Sequence, residues 1–349
     1  MSDFHPLTIT SKKQLTPNSV ALTFDIPSHL KETFSFVAGQ YITIKQSING
    51  EEVRRAYSLS SAPSSGEMTI GVKKVPNGRF SVYANDVLNT NDTIEVMPPE
   101  GRFVYESKGS AQNIMAFAAG SGITPIMAIA KTVLESHPEN IFVLVYCNQT
   151  KAETMYLESL EALQEEYGGR LNIQYLFSRA NEEGALFGRI EKSTVNLMLK
   201  NRFKDIAFAG FYLCGPEGMI HLVTEGLTNL GIDKDRIHFE LFTASEAKPV
   251  EVAPIEGEGR IEVILDDETH ELEMQKKEII LDLLLKHNID APYSCQGGVC
   301  SSCIARVMVG RAEMIKNQIL TDGEIEEGFI LTCQALPVTN SLVIDFDDI

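Results

Sequence analysis

The sequence predicts a multidomain chain in three fold classes: an antiparallel β-barrel, an α/β nucleotide-binding sheet and a small α+β domain. Three observations predict it. Residues 7–105 run in short alternating segments separated by turn residues. Residues 113–245 alternate continuous apolar strands with helical stretches, the pattern of an open parallel sheet. Residues 293–303 carry Cys295, Cys300 and Cys303 as C-x4-C-x2-C, answered by Cys333. At 349 residues each domain can bury a core of its own. The expected boundaries are 1–107, 108–245 and 260–349, with 246–259 as an acidic Pro/Gly linker.

Six strands build the barrel: Leu7 to Thr10, Val20 to Asp25, Tyr41 to Lys45, Arg55 to Leu59, Met68 to Lys73 and Thr93 to Met97. The fourth carries Arg55-Ala56-Tyr57-Ser58-Leu59. A bound flavin dinucleotide needs a cation for its pyrophosphate, a flat aromatic for its ring and a hydroxyl near its reactive nitrogen, and Arg55, Tyr57 and Ser58 supply all three. In an alternating strand Arg55 and Tyr57 share a face. Val72 and Lys73 follow on the fifth strand. Beyond them Gly78-Arg79-Phe80-Ser81 opens a turn that offers the amides of Phe80 and Ser81 to phosphate oxygens. Taken alone, the same residues also fit a plain surface strand.

In the second domain Asn113 to Ala118 reads as a buried strand running into Gly120-Ser121-Gly122-Ile123-Thr124-Pro125 and an apolar helix to Leu134. Thr124 is expected as N-cap with Pro125 at the first helical position. Glycines between a strand end and a helix N-terminus make an anion site suited to a cofactor's phosphates, although the pattern is not the usual G-x-G-x-x-G and by itself also fits a plain strand-to-helix turn. Strand Ile141 to Cys147, helix Thr154 to Tyr167 and strand Leu171 to Phe177 lead to Ser178-Arg179. A hydroxyl and a cation at that strand end suit the 2'-phosphate of NADPH, where an acid would suit NADH; a solvated arginine in a loop is the alternative. Phe211 to Cys214 then repeats the scheme, with Gly215-Pro216-Glu217-Gly218-Met219 opening a helix to about Leu230. Gly215 leaves room for a dinucleotide to cross the sheet edge, and Cys214 reads either as a small core residue or as one facing the nicotinamide.

In the last domain strands Arg260 to Leu265 and Thr269 to Met274, a helix from Ile280 to His287, and strands Ile304 to Val309, Phe329 to Thr332 and Leu342 to Phe346 surround the cysteines. The spacing of Cys295, Cys300, Cys303 and Cys333 is that of a plant-type [2Fe-2S] ligand set, three thiolates on one tight loop and one distant. Gly297 and Gly298 let that loop curl with amides free to face the sulfurs. A zinc site, which usually pairs two short knuckles, and a group of inert buried thiols are the alternatives.

Six cysteines, four of them in this set, fit a reducing cytoplasm better than a disulfide framework. No signal peptide opens the sequence, and its most apolar stretch, Ile114 to Leu134, is broken by Gly120, Gly122 and Pro125. The net charge is −18, unevenly spread: residues 1–107 hold 10 Lys and Arg against 11 Asp and Glu, and residues 260–349 hold 7 against 17. That excess argues against nucleic acid or an anionic membrane as ligand. It fits a docking partner with a basic face, or acidity kept for solubility.

In this order the motifs resemble the ferredoxin-NADP reductase superfamily carrying a C-terminal plant-type ferredoxin domain. The likeness spans the chain, from Phe4-His5-Pro6-Leu7-Thr8 through Gly50 to Arg55 and on to Pro292 to Cys300. It implies FAD at Arg55, Tyr57, Ser58, Leu59, Val72, Lys73 and Gly78 to Ser81, with Phe242 near the ring. It further implies NADPH, with NADH admissible, at Gly120, Ser121, Gly122, Thr124, Pro125, Ser178, Arg179, Cys214, Gly215, Pro216 and Met219. Ser58 and Cys214 become the catalytic pair that orients the rings, and a [2Fe-2S] cluster sits on the four cysteines of a β-grasp domain. Cys147 departs from the glycine many relatives carry there. The implied activity is electron transfer from NADPH through FAD and the cluster to a di-iron oxygenase or related terminal oxygenase. Another oxygenase or hydroxylase as partner, or a redox-responsive binding protein without turnover, are the rival readings.

Overall fold

The structure is a computed structural model describing residues 4–242, 259–275 and 277–349. Its contacts divide the chain into two compact units, His5–Val53 with Tyr57–Phe242, and Thr243–Ile349 with Met1–Phe4 and Arg54–Ala56. Most of the predicted linker, residues 246–258, lies outside the described residues, and Gly259 opens a strand.

The larger unit begins with β1 (His5–Thr16), β2 (Ser19–Asp25), β3 (Tyr41–Ile48), β4 (Glu51–Ser58, whose middle residues Arg54–Ala56 group with the smaller unit), β5 (Met68–Lys73), helix α1 (Arg79–Asp86) and β6 (Thr93–Val96). The sheet runs β4-β3-β6-β1-β2-β5. A bridge from Leu59 to Ile70 joins its two ends, which closes the barrel and removes the exposed edges. Leu7, Ile9, Leu22, Ile42, Ile44, Val72 and Val96 fill its interior. Helix α1 is an addition to the expected strands: Gly78 is its N-cap, and Phe80 and Ala84 turn its inner face into the barrel core.

There follow β7 (Asn113–Ala119), α2 (Ile123–Ser136), β8 (Phe142–Asn148), α3 (Leu157–Tyr167), β9 (Leu171–Phe177), β10 (Leu186–Phe187), α4 (Lys192–Asn196), β11 (Phe208–Cys214), α5 (Glu217–Thr228) and β12 (Ile237–Glu240). All six strands are parallel, in the order β10-β9-β8-β7-β11-β12. The order reverses between β7 and β11, and open sheets bind ligands at the carboxyl ends beside such a switch point. Ala21, Ala38, Phe103 and Tyr105 of the barrel region share one core with Ile126, Ile129, Tyr146, Leu160 and Tyr212 of the sheet. Barrel and sheet therefore pack as a single body, which fixes their two sites relative to each other.

The smaller unit holds β13 (Gly259–Leu265), β14 (Glu268–Met274), α6 (Ile280–Lys286), β15 (Ile304–Val309), β16 (Ala312–Met314), α7 (Asp322–Glu326), β17 (Phe329–Leu331), β18 (Ala335–Pro337) and β19 (Ser341–Asp345). Its main sheet runs β14-β13-β19-β15-β17, with β13 and β19 parallel and β13 and β14 a hairpin. Asp266 and Asp267, both at positive φ, make that hairpin's two-residue turn. Ile280, Leu281, Leu283 and Leu284 of α6 pack onto Ile261, Val263, Ile304 and Ile344 of the sheet, the α+β arrangement of a β-grasp domain. Among the described residues no helix is long and apolar enough to cross a membrane.

Candidate functional site

On β4, Arg55 is exposed, and its Nη1 donates to the Arg54 carbonyl at 2.6 Å. The Tyr57 ring is half-buried against Phe80, with centroids 5.4 Å apart. Leu59 and Val72 are fully buried core residues. Gly78 to Ser81 is a helix N-terminus, where the amides of Arg79, Phe80 and Ser81 precede the first intrahelical bond, Val82 N to Gly78 O at 3.1 Å. The Arg79 side chain is paired with Glu51. Ser81 Oγ accepts from Val75 N at 3.2 Å, so that hydroxyl shapes the loop and the amides are what an anion would meet.

The glycine turn Gly120–Gly122 is a short 3-10 segment that runs straight into α2. Thr124 is consequently not the N-cap, as expected from sequence, but lies in the first turn, with Oγ1 donating to Ser121 O at 3.0 Å. The merging of the two helical segments moves the helix start forward. Pro125 still sits in the first turn, where its missing N–H costs nothing. Gly122 is required sterically, since a Cβ there would stand 2.1 Å from the Cys214 carbonyl oxygen. A Cβ on Gly215 would meet Met219 Cε at 2.8 Å and the Ala119 backbone nitrogen at 3.3 Å. The carboxyl ends of β7 and β11 thus approach backbone to backbone at the switch point, as a nucleotide cradle requires. From the barrel, Lys73 Nζ reaches within 3.5 Å of where a Gly120 Cβ would lie, which puts a cation beside the turn.

At the carboxyl end of β9, Ser178 N and Arg179 N donate to the carbonyls of Asn148 and Gln149, both at 2.9 Å, and the Arg179 side chain is exposed. Gly188 N donates to Phe177 O at 2.9 Å, so Gly188 and Arg189 continue past β10 beside Ser178 and Arg179. Arg189 is also exposed. Two arginines and a hydroxyl at neighbouring strand ends suit a phosphate dianion. Sequence reasoning found the first arginine and missed the second, which only the β9–β10 pairing brings near.

A second missed residue is Glu240, the last of β12. Its register partner is Cys214, and Ser58 Oγ donates to its Oε2 at 3.0 Å across 182 positions of sequence. Protein crowds Glu240 although part of its surface stays open, and the lost solvation pushes its carboxyl up to about 8, opposed only in part by the Ser58 hydrogen bond. Cys214 is fully buried, and that burial, followed by the Glu240 charge, drives its thiol well above the ordinary range. It is a neutral group and no nucleophile. The barrel's Ser58 and the sheet's Cys214 therefore meet at one place through Glu240. Phe242, two residues further on, is 40% exposed.

In the smaller unit, β15 pairs with β17, Ile304 opposite Leu331, so the distant Cys333 comes up beside Cys303. Thr332 clamps the junction, its N and Oγ1 both donating to Cys303 O at 3.0 Å. The loop is curled by Gln296 and Gly298 at positive φ and tied by Gln334 Nε2 to Gln296 O at 2.9 Å. Gly297 N donates to Cys295 Sγ at 3.3 Å. Among the described residues no three His, Cys, Asp or Glu side chains gather as a cage for a single ion. The four thiols instead form an open chain of side-chain hydrogen bonds, Cys300 to Cys295 to Cys333 to Cys303. Their acidities split accordingly: hydrogen bonds from neighbouring thiols pull Cys295 and Cys303 down and push Cys300 and Cys333 up. Four thiols so close cannot all ionise unless positive charge sits among them, which is what an iron–sulfur core brings. Ser294, beside the loop and 1% exposed, has a hydroxyl without a hydrogen-bond partner. The donor set fits a binuclear cluster.

The chain matches three domain families in order: the oxidoreductase FAD-binding domain over residues 6–105, the oxidoreductase NAD-binding domain over 117–225 and the 2Fe-2S iron-sulfur cluster binding domain over 263–338. It is 35% identical to one of the subunits of the 1,2-phenylacetyl-CoA epoxidase of Escherichia coli K12, covering 99% of both chains. It is 32% identical to the ferredoxin reductase component of 3-ketosteroid-9-alpha-monooxygenase of Rhodococcus rhodochrous, covering 97% of this chain and 96% of the other. Among solved structures, phthalate dioxygenase reductase aligns over 98% of both chains with a TM-score of 0.62 and 23% identity, a likeness of fold.

Proposed function

The chain belongs to the family of oxygenase reductase components that join an FAD-binding, an NAD-binding and a 2Fe-2S domain, and on that premise we propose that it carries electrons from NADPH through FAD and a [2Fe-2S] centre to the di-iron oxygenase of a phenylacetyl-CoA epoxidase. The single observation that carries the choice of oxygenase is the 35% identity, end to end, with the Escherichia coli epoxidase chain. When bound, FAD takes electrons in pairs from the nicotinamide and releases them singly, as the one-electron cluster requires.

The residues have separate tasks in this reading. Arg55 and the amides of Arg79, Phe80 and Ser81 hold the flavin pyrophosphate, and Tyr57 with Phe242 flank its ring, while Leu59 and Val72 support the site from the core. Gly120 to Pro125 with Lys73 hold the nicotinamide dinucleotide's pyrophosphate, and Gly215, Pro216 and Met219 leave space for its nicotinamide half. Ser178, Arg179 and Arg189 bind the 2'-phosphate and so favour NADPH over NADH. Ser58 and Cys214 orient the rings. Glu240, holding a proton at neutral pH, keeps a neutral hydrogen-bonding group between them. Cys295, Cys300, Cys303 and Cys333 hold the cluster, and the acidic surface of residues 260–349 docks on a basic face of the oxygenase.

Affinity recovery of the tagged protein from phenylacetate-grown cells tests the partner. Co-purification of the other epoxidase chains is expected, and recovery of a different oxygenase would overturn the assignment. Docking through charge predicts that transfer to the oxygenase slows steeply as salt rises to ~0.5 M; an unchanged rate would remove that part.

A further inference from the structure

One buried hydroxyl on the cysteine loop has no task in this scheme. Ser294 is 1% exposed, and its Oγ has no hydrogen-bond partner. Tyr293 and Cys295 on either side are only half-buried, so the loop turns Ser294 inward. The other buried polar side chains next to the ligand cysteines are engaged. Thr332 Oγ1 donates to Cys303 O at 3.0 Å, Gln334 Nε2 donates to Gln296 O at 2.9 Å, and Ser302 also has a partner. A hydroxyl kept out of water with no partner is unfavourable, and alanine would fill the same place without that penalty. Such a group in a native fold calls for an acceptor.

The surroundings select the acceptor. Ala291 and Tyr293, which lead into Ser294, belong to one apolar core with Leu284, Leu331, Cys303 and Cys333. In that core the sulfurs are the electron-rich groups, and the loop already aims one donor at them, Gly297 N to Cys295 Sγ at 3.3 Å. Cys300, Cys303 and Cys333 are 5%, 1% and 4% exposed, so the group they hold is internal as well. A hydroxyl needs no opening to water to meet it. Cysteine thiolates and the sulfides of an iron–sulfur core are negatively charged acceptors, which neutral thiols are not.

We propose that Ser294 Oγ donates a hydrogen bond to a sulfur of the [2Fe-2S] cluster and raises the cluster's reduction potential. Reduction adds one electron and one negative charge, and a hydrogen bond to sulfur strengthens as that charge grows. The donor therefore favours the reduced form. Ser294 holds no iron and acts only through the ligand sulfurs or sulfides, so it sets how readily the cluster takes an electron and leaves its assembly to the cysteines. This inference rests on the assignment of the cluster to the four cysteines.

The test is a redox titration of the cluster-loaded wild type, Ser294→Ala and Ser294→Thr, followed by the spin-resonance signal of the reduced centre. Ser294→Ala is expected to lower the ratio of reduced to oxidised cluster about tenfold at the wild-type midpoint, a negative shift of ~59 mV for one electron. Ser294→Thr keeps the hydroxyl and should hold the wild-type midpoint. A second measurement does not depend on the threonine variant loading its cluster. After exchange into deuterium oxide, pulsed spin resonance of the reduced wild type should show a strongly coupled deuteron that Ser294→Ala lacks, over a background of amide couplings common to both. A wild-type midpoint in Ser294→Ala, equal shifts in the alanine and threonine variants, or deuteron couplings identical in wild type and Ser294→Ala would each overturn the proposal. If the wild type gives no signal of a reduced [2Fe-2S] centre, the cluster assignment itself is wrong, a result distinct from a variant that matches a loaded wild type.

Discussion

Replacing Glu240 by glutamine removes a titrating carboxyl from the point where barrel and sheet meet while keeping an acceptor for Ser58. In the folded protein the carboxyl titrates at about 8, against 4.5 for the ordinary group. The folded state therefore binds the proton more tightly than the unfolded chain, and stability is fully present below pH 4.5 and lost progressively as pH rises to 8. At pH 7 the full shift corresponds to ~3 kcal/mol; the open part of the Glu240 surface reduces this to ~1–2 kcal/mol. Glutamine has no such cost, so the variant is expected to gain a thermal midpoint of ~2–6 °C at pH 8 and little at pH 5. The assay is the rise of flavin fluorescence on heating, for both proteins, at intervals from pH 5 to 9. Flavin reduction by NADPH should fall above pH 8 in the wild type and stay level in the variant. A wild-type midpoint that is flat across this range, or a variant that follows the same slope, would refute the reasoning.

Three further perturbations separate the modules. Cys300→Ser should abolish the visible absorption of the cluster and slow cytochrome c reduction at least tenfold while NADPH still bleaches the flavin; cytochrome c reduction at the wild-type rate would exclude the cluster relay. Arg179→Ala removes a charged hydrogen bond worth ~1.5–3 kcal/mol, so KM for NADPH should rise roughly 10- to 100-fold with that for NADH little changed, as steady-state kinetics with both cofactors will report. Gly122→Ala forces a methyl group to within 2.1 Å of the Cys214 carbonyl. It should destabilise the larger unit by ~2 kcal/mol or more and remove NADPH reactivity, read from unfolding and stopped-flow traces.

The parts legible in the sequence were those whose signal is local. The cysteine spacing, the alternation of the six barrel strands and the apolar runs of β7, β8 and β11 each sit within a dozen residues, and each appears in the fold. Groups assembled by register were invisible. Glu240 lies on a four-residue strand with no pattern of its own, and only its pairing with Cys214 and the hydrogen bond from Ser58 reveal it. Arg189 follows a two-residue strand. The misplaced cap at Thr124 has a similar origin: Ser/Thr before an apolar run is the usual helix start, but here two glycines extend the helical path upstream.

The central claim is a relay in fixed order, and anaerobic rapid mixing of the loaded protein with NADPH tests it most directly. Flavin absorption should bleach first, followed by cluster absorption, with the spin-resonance signal of a reduced [2Fe-2S] centre growing at the second rate. A flavin that becomes fully reduced beside a cluster that stays oxidised would contradict the account.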